Sequence, residues 1–257
     1  MIPGKSTKST ELFSDRVADY VSFRPSYPVE LVEWLGAQTG MTSSWCLVDV
    51  GAGTGISSKL FLDAGNSVIA VEPNAAMRKA SELLLTGYGA FRAIAGTAEA
   101  TTLANGVADL VISAQAFHWF NHDLVRLEWR RILKEGGFSG IFWNTRRLRG
   151  SAFLEGYEAI LNDHCGSYRS VAERYPDDDY MRRWFGPGFK AAASFANRQH
   201  LDLVGVTGRL MSSSYAPKEG DPAHKPAVSA LENLFARTAK DGYVDLIYDT
   251  RIFVGTL

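Results

Sequence analysis

Between residues 46 and 144, short apolar runs alternate with stretches whose apolar residues recur at helical spacing. The runs predict strands over 46–50, 67–71, 91–95, 108–115 and 138–143, each too short for a helix and rich in Val, Ile, Leu or Phe. Helices are predicted between them. One covers Ile56 to Ala64 and stops at Gly65-Asn66. The next runs from Asn74, a favourable N-cap residue, to Leu85, with Met77, Ala80 and Leu84 on one face. A third is capped by Asp123, passes Leu127, Ile132 and Leu133, and ends at the double glycine Gly136-Gly137. Repeated strand–helix alternation makes a parallel α/β sheet with helices on both faces, because parallel strands need crossover connections.

The flanks read differently. Residues 1–11 read as a frayed tail. Phe13, Val17, Tyr20 and Val21 share a helical spacing that Arg24-Pro25-Ser26-Tyr27-Pro28 interrupts. A helix restarts at Pro28, a residue suited to the first helical position, and runs through Leu31, Val32 and Leu35 to Gly36. After Arg149 the rhythm changes to aromatic-rich helical patterns over 151–186. Asp177-Asp178-Asp179 reads as a solvated turn capping the next helix rather than a metal site. A strand is expected over Phe195 to Leu203, a short element over Gly205 to Ser214 and a helix over Lys225 to Ala239. A strand pair or one long strand is expected over Tyr243 to Val254.

Composition narrows the partners. Hydrophobic residues make up 46% and charged residues 21%, as in an ordinary globular chain. A net charge of −1 supplies no field for nucleic acid or an anionic membrane. Cys46 and Cys165 have no metal-ligand spacing and read as reduced thiols. The first ten residues lack the apolar stretch of a signal peptide, and no apolar run approaches the roughly 20 residues that span a bilayer. The expectation is a cytoplasmic protein with no metal, no nucleic-acid partner and no membrane partner.

The chemistry concentrates where the first predicted strand ends, at Asp49-Val50-Gly51-Ala52-Gly53-Thr54-Gly55. A glycine-rich turn between strand and helix is where open α/β sheets bind ligands, and it lets a ligand lie against the main chain of Gly51, Ala52, Gly53 and Gly55. A dinucleotide site wants G-x-G-x-x-G, but here Ile56 stands at the last glycine position. Asp49 would also repel a pyrophosphate and attract a cationic group. Glu72 follows the second predicted strand, 19 residues beyond Gly53, near the offset at which an acidic side chain grips a ribose diol. A cationic amino-acid end together with a ribose describes S-adenosylmethionine.

On these motifs the chain resembles the class I S-adenosylmethionine-dependent methyltransferases. Tyr20, Arg24 to Pro28, Ala116-Phe117-His118-Trp119, Trp143-Asn144, Gly208 to Pro217 and Tyr248-Asp249-Thr250 are similar to the ubiquinone-biosynthesis-like small-molecule branch near the trans-aconitate methyltransferases. The resemblance implies a doubly wound, Rossmann-like seven-stranded sheet whose last strand is antiparallel, with a helical insertion after the fifth strand. It also implies methyl transfer to a small acceptor, with a carboxylic acid as one candidate. A single domain over 1–257 is expected, made of a helical lid (12–40), a cofactor-binding core (41–144), a helical insertion (145–190) and a segment completing the sheet (191–257).

Further residues are candidates by position. Tyr20 and Arg24 would close over the cofactor, Arg24 answering its carboxylate; a plain surface role is the alternative. Pro73 and Met77 follow Glu72, and Met77 suits either an adenine contact or core. Thr97, Ala98 and Glu99 form a loop that suits the adenine amino group or is a routine polar turn. Gln115 and Ala116 end the fourth strand beside the methyl. His118 is a candidate base or positioning residue, or else a structural ring beside its aromatic neighbours. Trp119, Trp143 and Asn144 would line the acceptor pocket, the tryptophans suiting core packing equally, and Arg146 or Arg147 would clamp an acceptor carboxylate, with a solvated basic loop as the alternative. Tyr215 and Arg209 would close the pocket, on resemblance alone. Two other classes stand against this reading: an NAD-dependent oxidoreductase, opposed by Ile56 and Asp49, and a non-catalytic cofactor-binding partner subunit.

Overall fold

A computed structural model describes residues 21–172 and 175–257. Seven strands form one sheet in the order β3-β2-β1-β4-β5-β7-β6. They are β1 (Cys46–Val50), β2 (Ser67–Val71), β3 (Phe91–Ile94), β4 (Ala108–Ala114), β5 (Leu133–Arg146), β6 (Phe189–Leu201) and β7 (Val244–Gly255). The first five run parallel, and β7 lies antiparallel between β5 and β6. This is the seven-stranded, mixed arrangement expected, with helices on both faces.

The helices are α1 (Glu30–Thr39), α2 (Ile56–Asp63), α3 (Ala75–Leu84), α4 (His122–Ile132), α5 (Ala152–His164), α6 (Tyr168–Ala172), α7 (Asp178–Phe185), α8 (Leu203–Met211) and α9 (His224–Thr238). Helices α5 to α7 fall between β5 and β6. Side chains alternate across β1: Leu47 packs with α1 and α2 through Leu31, Leu35 and Phe61, whereas Val48 and Val50 pack with α4 and α7 through Trp129, Ile132 and Phe185. Both faces are therefore dry, which is why the central strands read as nearly continuous apolar runs. A third cluster joins α5, α8 and α9 to the start of β7, around Tyr157, Leu210, Leu231 and Tyr248.

Several local expectations change. The cap of α4 is Asn121, whose side chain accepts from Leu124 N, not Asp123. Leu127 is exposed, and Leu133 already belongs to β5, which carries Gly136-Gly137 within it. On α3 the inward residues are Met77 and Ser81, followed by Leu85, while Leu84 faces solvent. Both the i, i+3, i+7 set and the i, i+4, i+8 set lie within one helical stripe, so spacing alone does not choose between them. Helix α1 passes Gly36 and ends at Gly40 in the left-handed conformation. Strand β6 begins at Phe189, six residues before the expected Phe195, since pairing with β7 extends it through a run of small residues. Among the described residues, no helix is long and apolar enough to cross a membrane.

Candidate functional site

The strand order reverses between β1 and β4, and the crevice beyond their carboxyl ends is where such sheets bind ligands. The glycine turn forms its floor. Gly51 has φ +72°, and a Cβ there would lie 2.6 Å from the Cβ of Ala116 and 3.0 Å from the Phe120 ring. Only glycine allows both the left-handed backbone and the close approach of the segment after β4. The turn is tied to β2 by Gly51 N–H donating to the Val71 carbonyl at 2.9 Å.

Both predicted carboxylates sit at this turn, yet neither is simply open to it. Glu72 is 8% exposed; its Oε2 accepts from Gly53 N at 2.9 Å and its Oε1 from Asn74 N at 2.8 Å. Burial raises its pKa against the pull of those two N–H groups. Asp49 is fully buried, and its Oδ2 accepts from Ser57 Oγ at 2.6 Å and Ser58 Oγ at 2.7 Å. Its side chain therefore binds the first turn of α2, and Ser57, not Asp49, lines the cleft. Oδ1 of Asp49 has no hydrogen-bond partner among the described residues. Desolvation lifts the Asp49 pKa from 3.8 to about 6, with the two serine hydroxyls opposing it. A half-satisfied buried carboxylate below the turn is a fit for a ligand with a cationic end.

The cleft is shallow and opens to solvent. It gathers Arg24, Gly51, Ala52, Gln115, Asn144 and Arg209 from the sequence candidates, together with Tyr27 and Ile56. Gln115, at φ +57°, donates through Nε2 to the Asn144 carbonyl at 3.1 Å. The entering segment is stitched down at several points. Asn144 and Asn197 donate to the Ser26 carbonyl at 3.0 and 2.8 Å, and Gln199 donates to the Phe23 carbonyl at 2.9 Å. Arg24 Nη2 donates to the Ser212 carbonyl at 2.6 Å. Tyr20 lies outside the described residues.

The remaining candidates are spread around this centre. Pro73 is exposed and Met77 is 3% exposed. Thr97, Ala98 and Glu99 form a tight turn bridged from Thr97 to Ala100; Ala98 is buried and Glu99 accepts from Asn121 N at 2.9 Å. His118 and Trp119 lie on a 3-10 turn (Phe117–Trp119), with the His118 ring 4.9 Å from Trp119 and 4.4 Å from Tyr175. His122 braces that turn: it stacks on Phe117 at 4.1 Å and contacts the Phe117 carbonyl through Nε2 at 3.0 Å.

At two acceptor-pocket candidates the structure takes an alternative to the pocket role. Trp143 neighbours Asn144 on a strand, so their side chains take opposite faces. Asn144 faces the cleft, while Trp143 is 2% exposed and packs with Phe117 and Phe253 in the core. Arg146 is already answered, with Glu158 at 2.5 Å and the Tyr168 hydroxyl at 3.1 Å, and it is absent from the cleft lining. Tyr215 packs edge-on against Tyr168 at 5.1 Å. Ser57 and Ser58 escaped sequence reasoning. Their signal was faint: two small hydroxyl residues directly after Gly55, one turn from a strand-end carboxylate.

Known proteins carry the same pattern. A methyltransferase-domain family model matches residues 48–141. An uncharacterized methyltransferase-like protein of Schizosaccharomyces pombe is 33% identical over 178 residues, covering 69% of this chain and 66% of that protein. An uncharacterized methyltransferase of Mycobacterium tuberculosis is 35% identical over 137 residues, covering 53% of this chain and 54% of that protein. The matched part thus spans just under two thirds of the first relative and about half of the second. Among solved structures, a candidate type II methyltransferase from Anaeromyxobacter dehalogenans superposes with a TM-score of 0.62 at 21% identity, covering 91% of this chain and 97% of that one. A candidate S-adenosyl-L-methionine-dependent methyltransferase from Methanococcus maripaludis gives 0.52 at 19% identity, covering 72% and 84%. At such identities the likeness is one of fold.

Proposed function

We propose that the chain is a class I S-adenosylmethionine-dependent methyltransferase that moves the methyl group of S-adenosylmethionine to a small-molecule acceptor. The observation that carries this reading is the meeting of Asp49 and Glu72 at one glycine turn, at the point where the strand order reverses. Glu72 would hold the ribose hydroxyls, since each of its oxygens keeps a lone pair beyond the N–H it already accepts. Asp49 would answer the ammonium, directly through Oδ1 or by way of Ser57, and Arg24 would answer the carboxylate. Thr97 to Glu99 and Met77 would border the adenine.

The bound cofactor supplies a methyl already activated on a sulfonium, which an acceptor lone pair displaces in line to leave a neutral thioether. The protein's part is alignment and exclusion of water, and orientation alone can supply roughly 7–11 kcal/mol of such a barrier. His118 and Trp119 would border the methyl beside Gln115 and Ala116, His118 serving as a base only for acceptors that must lose a proton. A carboxylic acid needs no base and is one acceptor class this arrangement accommodates.

The test is calorimetric titration with S-adenosylhomocysteine on the wild type, Asp49→Ala and Glu72→Ala, with NADH as control. Micromolar binding that both substitutions weaken strongly is the expected result. Binding that neither substitution touches, or a preference for NADH, would falsify the reading.

A further inference from the structure

Arg209 is a buried guanidinium that has no acidic partner among the described residues, at the wall of the cleft. It lies on α8, is 7% exposed, and lines the cleft with Arg24, Gln115 and Asn144. Its Nε donates to the Tyr248 hydroxyl at 3.1 Å and its Nη1 to Ser213 Oγ at 3.0 Å. Tyr157 and Tyr215 add further phenols around it. Among the described residues no carboxylate pairs with it and Nη2 has no hydrogen-bond acceptor. Arginine does not give up its proton in proteins, so a full positive charge is carried into the interior. An uncompensated buried ion costs several kcal/mol.

Neighbouring arginines are compensated. Arg146 has Glu158 at 2.5 Å, and Arg147 has Asp249 at 2.6 Å. The hydroxyls around Arg209 orient its planar fork without neutralising it, and the cleft is the side from which an anion can reach it.

We propose that Arg209 binds an anionic group of the methyl acceptor, a carboxylate or a phosphate monoester, and that this group anchors the acceptor and is not itself methylated. This rests on the methyl-transfer reading above. Methylating an anchored carboxylate would erase its charge and leave the guanidinium buried and unpaired in the product complex. The anchored oxygens also have their lone pairs engaged by the fork, which makes them poor nucleophiles. The acceptor therefore carries its nucleophile apart from its anchoring anion, and the product keeps the anchor's charge. Arg209 is in this sense the specificity residue of the acceptor side, as Arg24 is the cation proposed for the cofactor side.

The experiment uses the full chain saturated with S-adenosylhomocysteine, followed by calorimetry and thermal denaturation. The probes are short hydroxy and amino carboxylic acids, phosphate monoesters of matching chain length, and the neutral primary amides of the same acids. In the wild type, at least one anionic series should bind about tenfold or more tighter than its neutral counterpart. Arg209→Gln should lose that preference and keep wild-type affinity for S-adenosylhomocysteine. Whichever series binds better, carboxylate or phosphate, identifies the anchor. If Arg209→Gln does not fold, Tyr248→Phe keeps the charge and should retain the preference for anions, and the anion–amide comparison on the wild type stands without any variant. Amides binding as well as anions, or neither anionic series binding, overturns the proposal. So does loss of S-adenosylhomocysteine binding in a folded Arg209→Gln, which would assign the residue to the cofactor. A wild type that fails to bind S-adenosylhomocysteine before any probe is added instead removes the methyl-transfer reading itself.

Discussion

Asn144 donates through Nδ2 to the carbonyl oxygen of Ser26 at 3.0 Å, so a strand of the sheet holds down the segment that enters over the cleft. The same side chain accepts at Oδ1 from Thr250 Oγ1 at 2.5 Å and Asn197 Nδ2 at 3.1 Å. One residue thus joins β5, β6, β7 and the entering segment. In Asn144→Ala the buried Thr250 hydroxyl loses its acceptor and the segment loses a latch. A destabilisation of about 2 kcal/mol is expected, with a weaker affinity for S-adenosylhomocysteine. Denaturant unfolding and calorimetry check the two effects separately, and an unchanged affinity would show that the latch does not serve the cleft.

Asp49 makes a pH-dependent prediction. Its folded pKa of about 6 lies above the ordinary 3.8, so between these values the native state binds a proton the unfolded state does not. Stability from this group is present at acid pH and is lost as pH rises through 6. Above that, the buried charge costs about 3 kcal/mol in the ligand-free protein. Asp49→Asn should therefore be more stable than wild type near pH 8, with the difference vanishing below about pH 4. The same substitution should weaken S-adenosylhomocysteine, and wild-type affinity should decline below pH 6. Thermal melts over pH, paired with titrations, decide it: equal stability of the two proteins at pH 8 would contradict the buried-charge account.

Gly208 on α8 meets the ring of Phe23, and a Cβ at this position would come within 2.2 Å of it. Alanine would favour the helix by up to about 1 kcal/mol but displace Phe23 from the entering segment. Gly208→Ala should keep overall stability near wild type while reducing S-adenosylhomocysteine affinity. A selective loss of binding at an unchanged melting temperature is the signature to look for.

Trp143 separates packing from catalysis. As a fully enclosed core side chain, its replacement by alanine should cost roughly 3–5 kcal/mol. A residue of the acceptor pocket would instead change turnover at little cost to stability. Denaturant unfolding of Trp143→Ala distinguishes the two.

The parts of the fold legible in the sequence were those governed by local rules. Strands β1 and β2 fall where their apolar runs predicted, and Asn74 caps α3 as expected, accepting from Ala76 N and Met77 N. Misread elements were those in which a neighbour chose between two local options. Asn121 and Asp123 are both good capping residues, and the geometry before α4 selected the first. Leu84 and Leu85 are equally apolar, and the closeness of Leu85 to Gly55 decided which turned inward. Alanines at 191–193 carry little strand preference of their own, and β7 recruited them.

The same division runs through the site. By itself the sequence determined the α/β alternation, the glycine turn where the strand order reverses, and the two acidic residues beside it. Each of these depends on backbone dihedrals, side-chain period or short spacing, which a few consecutive residues fix. Only the tertiary structure decided that Asp49 binds Ser57 and Ser58 beneath the cleft, that Trp143 belongs to the core, and that Arg146 meets a carboxylate while Arg209, among the described residues, meets hydroxyls. Those outcomes depend on burial and on partners brought from far along the chain, as when Arg24 reaches the carbonyl of Ser212. The worth of a charge is set by what surrounds it, and folding assembles those surroundings.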